Sequence, residues 1–317
     1  MSDKNDEFIE RVVLLCGGVG GAKLAEGLGL LLPPGALTIV VNTGDDFEHL
    51  GLRISPDVDT VVYTLAGVVN RGMGWGRTDE SWRVMAHVAE LGGPAWFRLG
   101  DRDLGTHLVR THLLDRGERL TEVTAYLSRQ FGVAHSVLPM ADRPVPTRIV
   151  TPQGTLGFQE WFVGEQWQPP VLKIDLPDDA RATADVVRAL TAADIVIIGP
   201  SNPFVSIDPI LNCYPVRPTI SDEPSVVVAV SPIVGGDAVK GPTAKMMRER
   251  DLPVSPLSIA ERYADLIDGF VYDVQDAGAF DADAGPLLCT DTLMPTPEAR
   301  RRQAGEVLQF ARTLLGS

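Results

Sequence analysis

Four short runs of consecutive apolar residues, each closed by turn-forming residues, restrict this 317-residue chain more than any other feature. Arg11 to Cys16 ends in glycines, and Leu37 to Val41 ends at Asn42-Thr43-Gly44. Ile195 to Ile198 ends at Gly199-Pro200-Ser201-Asn202-Pro203, and Val226 to Val230 ends at Ser231-Pro232. A strand with one wet face alternates polar and apolar side chains; these runs do not, so both faces of each strand are expected to be covered. Helical spacing from Ala22 to Leu32, from near Thr60 and from about Glu80 to Leu91 supplies the cover. The fold class is therefore α/β, a mostly parallel sheet with flanking helices whose ligands bind beyond the carboxyl ends of the strands. Residues from about 70 to 185 hold more loops and most of the tryptophans. They read as an inserted, more helical subdomain, which divides the core into about 10-68 and 188-275 within one catalytic domain spanning 1-317.

Charge narrows the partners. With 42 acidic against 28 basic residues and a formal net charge of -14, the chain repels nucleic-acid backbones. An anionic small ligand then requires a local concentration of Lys, Arg or metal. Cys16, Cys213 and Cys289 are odd in number and far apart, which suggests neither a disulfide framework nor a zinc ligand set. The acidic start, Met1 to Glu7, lacks the layout of a secretory signal, and Pro33-Pro34 interrupts the longest apolar stretch. A cytoplasmic chain without a membrane span is expected.

Gly17-Gly18-Val19-Gly20-Gly21-Ala22-Lys23 lies between strand and helix, where bare backbone and unpaired N–H groups approach anionic oxygens. A Walker loop would need Gly at Ala22 and Ser or Thr at Leu24, and the dinucleotide pattern would need Gly or Ala at Lys23, so ordinary NTP hydrolysis is disfavoured. Asn42-Thr43-Gly44-Asp45-Asp46 and Ser55-Pro56-Asp57-Val58-Asp59-Thr60 are carboxylate clusters. Asp45 and Asp59 suit Mg²⁺, which takes one or two carboxylates and shares its other positions between water and substrate phosphate. A helix cap worth about 1 kcal/mol satisfies Asp57 and Asp59 equally well. Phe97-Arg98-Leu99-Gly100-Asp101-Arg102-Asp103, followed by Thr106 and His107, is suited to phosphate and hydroxyl groups, or to pairing with itself on a surface loop. His107 has no evident partner in the sequence. Phe158-Gln159-Glu160-Trp161-Phe162 and Gly74-Trp75-Gly76-Arg77 offer aromatic surface to a planar ring, and Lys240-Gly241-Pro242 follows a strand end that can close the crevice.

Together these motifs resemble the 2-phospho-L-lactate transferases of deazaflavin coenzyme F-420 biosynthesis, some of which are phosphoenolpyruvyl transferases. The likeness runs from about Val12 to Pro295 and rests on the glycine segment with Lys23, the two carboxylate clusters, Leu99-Gly100-Asp101-Arg102-Asp103 with Thr106-His107, and Gly199-Pro200-Ser201-Asn202-Pro203. It implies a Rossmann-like core, a homodimer and a Mg²⁺-dependent transfer. The donor would be guanosine diphosphate-linked 2-phospholactate, phosphoenolpyruvate or 3-phosphoglycerate. The acceptor would be the ribityl hydroxyl of 7,8-didemethyl-8-hydroxy-5-deazariboflavin, with GMP leaving. By the same resemblance Gly17, Gly18, Val19, Gly20, Lys23, Ser201 and Asn202 hold the nucleotide. Asp45 and Asp59 are catalytic, binding metal or orienting the acceptor hydroxyl, and Asp59, Arg98, Gly100 and Asp101 meet the deazaflavin. Some relatives carry Lys in place of Arg98. Two other readings stand beside it. An NAD-dependent oxidoreductase would place an acid at the end of the second strand, where this chain has Asn42. A non-catalytic nucleotide-binding regulator would leave the carboxylates as caps.

Overall fold

The expected strands form, and three more join them. The computed structural model of the chain describes residues 10–281 and 284–316. Its main sheet contains β1 (Val12–Cys16), β2 (Leu37–Val41), β3 (Ser136–Pro139), β4 (Ile195–Ile198), β5 (Val226–Val230), β6 (Gly269–Asp273) and β7 (Leu287–Thr290). All seven are parallel, in the order β7-β6-β5-β4-β1-β2-β3. β3, β6 and β7 escape sequence reading for local reasons. Ser136-Val137-Leu138-Pro139 is short and ends in proline, Gly269-Phe270-Val271-Tyr272-Asp273 is framed by glycine and an acid, and β7 is a partly exposed edge.

The unbroken apolar runs have the reason anticipated. In β1, Val13 and Leu15 enter one core with Val196, Ile198, Val227 and Ala229. Val12, Leu14 and Cys16 enter the other with Ile195, Ile197, Val226 and Val228. Helices α1 (Gly18–Gly29) and α2 (Pro56–Leu65) close the second core through Leu24, Leu28, Val58, Val61 and Val62.

Both helices begin earlier than their apolar spacing suggests. Gly17 is the N-cap of α1, so the glycine segment is its first turn rather than a loop before it. Proline at the first position starts α2 at Pro56, where its missing N–H costs nothing. The span from 70 to 185 contributes α3 (Arg83–Glu90), α4 (Asp101–Asp115) and α5 (Leu120–Gln130). It also holds an antiparallel sheet in which Arg148–Thr151 lies between Gly154–Gly157 and Lys173–Asp175. The same span supplies the edge strand β3 of the main sheet. Among the described residues no helix is long and apolar enough to cross a membrane.

β1 is the switch point. The chain proceeds from it to β2 and β3 on one side and later builds β4 to β7 on the other. Connections that part in opposite directions leave a crevice beyond the carboxyl ends of β1 and β4.

Candidate functional site

The two sides of that crevice are joined through backbone. The Ser201 hydroxyl, just past β4, donates to the Gly17 carbonyl at 2.7 Å and accepts the Gly17 N–H at 3.1 Å. At Gly20 a Cβ would lie 2.3 Å from the Pro200 carbonyl oxygen, so no side chain fits there. Asn202 accepts the N–H of Phe204 at 2.9 Å and caps the wide helical turn Pro203–Ile207. Gly17, Gly18, Val19, Gly20, Lys23, Ser201 and Asn202, the residues expected to hold a nucleotide, all line one cleft of about 560 Å³.

Asp45, Asp57 and Asp59 line the same cleft. Asn42, at the end of β2, organises the first two: its Nδ2 donates to Asp57 Oδ2 at 2.9 Å and to Asp45 Oδ1 at 3.3 Å. Gln159 donates to the other oxygen of Asp45 at 3.0 Å. Asp57 also accepts the N–H of Gly18, so it reaches across to α1 rather than capping its own helix. Ser55 leaves α2 without a side-chain cap and donates instead to Asp46 Oδ2 at 2.7 Å. Burial pushes the Asp57 carboxyl up to about 6, against the Asn42 and Gly18 hydrogen bonds that favour its ionised form. Burial, then the charges of Asp57 and Asp46, drive Asp45 well above the carboxylate range. Asp46 is raised chiefly by burial, with Ser55 and Arg110 opposing.

Asp59 is held differently. Both terminal nitrogens of Arg110 donate to its carboxylate, NH1 to Oδ2 at 2.9 Å and NH2 to Oδ1. Arg110 NH1 also lies 3.0 Å from His107 Nδ1. An arginine only donates, so Nδ1 is the acceptor and the neutral ring carries its proton on Nε2, 3.4 Å from Asp103 Oδ1. Tyr63 donates to that same oxygen at 2.7 Å. Asp103, His107 and Arg110 stand at i, i+4 and i+7 along α4, which puts them on one face. That spacing was the available signal for Arg110 and for His107, whose partners sequence reading missed; Asn42 and Gln159 carried no such signal.

The Arg98 to Asp103 segment divides. Arg98 lines the cleft beside Trp96 and Phe97, with its guanidinium 4.5 Å from the centre of the Trp82 ring. Gly100 and Asp101 do not line it. The Asp101 carboxylate accepts the N–H groups of Arg83 and Val84 at the start of α3. Glu80 does the same for Arg102 and Asp103 at the start of α4, so the two acids cap each other's helices. Of the expected aromatic surface, Trp161 is buried in the core, whereas Phe158 and Phe162, stacked 5.4 Å apart, and Trp75 on the 72–76 loop line the cleft.

A glycine-bounded helix start, buried carboxylates, lysines and aromatic rings around one switch-point cleft define an α/β protein whose cleft suits an anionic ligand with a planar ring. The profile of the family described as 2-phospho-L-lactate transferase CofD matches residues 12–283. A 2-phospho-L-lactate transferase of Methanosarcina acetivorans is 39% identical over 298 residues, covering 92% of this chain and 96% of that one. A phosphoenolpyruvate transferase of Kitasatospora aureofaciens is 39% identical over 314 residues, covering 95% and 98%. In fold, the chain is similar to a crystal structure of a UPF0052 family member from Bacillus halodurans, with a TM-score of 0.63, 16% identity and coverage of 94% and 98%. The chain belongs to the CofD family and is a transferase.

Proposed function

We propose that this enzyme transfers a phospho-linked three-carbon acid from a guanosine diphosphate-linked donor to the ribityl hydroxyl of 7,8-didemethyl-8-hydroxy-5-deazariboflavin, releasing GMP, as a cytoplasmic homodimer in coenzyme F-420 biosynthesis. The observation that carries this reading is the sharing of one cleft by the glycine-bounded start of α1, the Asp45–Asn42–Asp57 cluster and the Asp59–Arg110 pair.

The carboxylates suit Mg²⁺. Their oxygens are hard donors; burial raises Asp45, Asp46 and Asp57, and the charges of neighbouring carboxylates add to it at Asp45 and Asp46, a crowding that a divalent cation offsets. Asp45 keeps the metal role expected of it, and Asp57, which shares the Asn42 amide, joins it. Arg110 occupies both oxygens of Asp59, which suits that residue better to the acceptor. When bound, Mg²⁺ draws charge from the phosphoryl oxygens and stabilises what develops there during transfer.

The remaining steps fall to the protein. Backbone at the start of α1 and Lys23 hold the diphosphate; Arg98 and the aromatic wall hold the deazaflavin. Asp59, locked by Arg110, accepts a hydrogen bond from the ribityl hydroxyl. The hydroxyl oxygen bonds to the phosphorus bearing the acid as the link from that phosphorus to the bridging oxygen breaks. GMP leaves with the bridging oxygen and its electron pair, and the hydroxyl proton passes to Asp59. A loose transition state needs the proton removed only late, so a positioned carboxylate suffices. The test is turnover with the deazaflavin, Mg²⁺ and each guanosine-linked acid, followed by mass spectrometry of GMP and the flavin product. One donor giving product is expected; no product from any would overturn this assignment of donor and acceptor.

A further inference from the structure

The structure divides the described lysines into two kinds. Lys173 and Lys245 each hold a carboxylate, Asp175 at 2.7 Å and Glu249 at 2.5 Å. Lys23 and Lys240 line the cleft, and neither makes an ion pair among the described residues. The neighbouring cations Arg71 and Arg300 share the single carboxylate of Glu26, which offsets one of their two charges. In a chain of net charge -14, two unpaired ammonium groups on one cleft are a local reversal of the protein's field. They are also close enough to feel each other: burial, then Arg300 and Lys240, lower the pKa of Lys23.

Lys240 has a second peculiarity. Among the described residues its one hydrogen bond is to the carbonyl of Met73 at 3.5 Å, the far limit of such a contact. Met73 lies on the strap Gly72–Gly76, which passes over the start of α1. A Cβ at Gly74 would lie 3.0 Å from Val19 Cγ1 and 3.2 Å from Lys240 Nζ, so strap, lysine and glycine segment meet at one point. Trp75, next along the strap, faces the cleft with 39% of its surface exposed.

We propose that Lys240 is a second phosphate-gripping residue of the donor site. Its ammonium has three N–H donors, enough to hold a nucleotide phosphate and the Met73 carbonyl together, and so draws the strap over the bound diphosphate. The inference rests on the guanosine diphosphate reading above, and its test separates the two.

Guanosine diphosphate and inorganic pyrophosphate, each with Mg²⁺, are titrated into the wild-type chain, Lys240→Met and Lys240→Arg. Affinity is read by calorimetry and strap movement by tryptophan emission, with Trp75→Phe identifying the responsive ring. Lys240→Met is expected to bind both probes at least tenfold more weakly and to lose most of the emission change. Its melting temperature and its affinity for the deazaflavin stay as in the wild type, and Lys240→Arg recovers most of the loss. Wild-type affinity and emission change in Lys240→Met would overturn the inference. If the wild type binds pyrophosphate but not guanosine diphosphate, the guanosine reading falls and Lys240 is judged on pyrophosphate alone.

Discussion

Arg110 turns both terminal nitrogens onto the carboxylate of Asp59 while only 1% of the arginine is exposed. A guanidinium so deep carries its desolvation cost only because the geometry is bidentate and the partner charge equally enclosed. Burial acts to lower the Arg110 pKa, and the charge and hydrogen bonds of Asp59 more than reverse that. The pair sets the orientation of the one cleft carboxylate that has its own fixed counter-charge.

Removing one partner should therefore do more harm than removing both. Arg110→Met leaves an uncompensated buried anion and is expected to destabilise the fold by about 3–5 kcal/mol in urea unfolding. Arg110→Met combined with Asp59→Asn should recover most of that loss. Additive losses in the double variant would show that the two residues are not coupled.

Asp57 predicts how stability varies with pH. Its folded pKa is raised to about 6 by burial, so between about pH 4 and 6 the folded state binds more protons than the unfolded chain. Stability is then highest below that window and falls as pH rises through it, by roughly 3 kcal/mol for a two-unit shift. In metal-free protein Asp57→Asn should flatten this slope and raise stability at pH 7. Denaturant melts between pH 4 and 7 check it, and an unchanged slope would refute the assignment.

Mg²⁺ should relieve the same crowding. Adding it to EDTA-treated protein is expected to raise the melting temperature, by about 2.7 kcal/mol of stabilisation at a hundredfold excess over its dissociation constant. Asp45→Asn should lose most of that increment and reduce transfer at least a hundredfold. A variant that keeps the full Mg²⁺ response would remove Asp45 from the metal site.

Two glycine replacements should have opposite signs. At Gly20 a methyl would overlap the Pro200 carbonyl, so Gly20→Ala is expected to cost about 1–3 kcal/mol and to weaken nucleotide binding. At Gly105, on the exposed side of α4, a Cβ meets nothing within 4 Å. Gly105→Ala should stabilise the protein by about 0.5–1 kcal/mol through better helix propensity. Equal effects in urea melts would contradict the close approach of the loops after β1 and β4.

The glycine segment, the first carboxylate cluster and the turns after Ile198 and Val230 were legible because each follows a run of residues whose apolarity marks a strand end, and the second carboxylate cluster because Ser55-Pro56 marks the start of a helix. Parallel strands bring their carboxyl ends to one side, so motifs far apart in sequence fall around one crevice without further information. Arg98 was legible as a cation in a loop of alternating charge, and its expected place at the deazaflavin only through the family likeness. Gly100 and Asp101 could not be sorted from it, because only the packing of α3 against α4 turns the Asp101 carboxylate toward Arg83 and Val84.

The sequence by itself determined the class of fold, the strand-end motifs and the family likeness, because all of these are written in local periodicity and residue type. Tertiary structure alone decided that Asn42 would bridge Asp45 and Asp57, that Arg110 would claim Asp59, and that Lys23 and Lys240 would line one cleft without an ion pair among the described residues. Hydrogen bonds and charge pairs across long stretches of chain depend on distances that no spacing encodes, and burial sets which of them are strong.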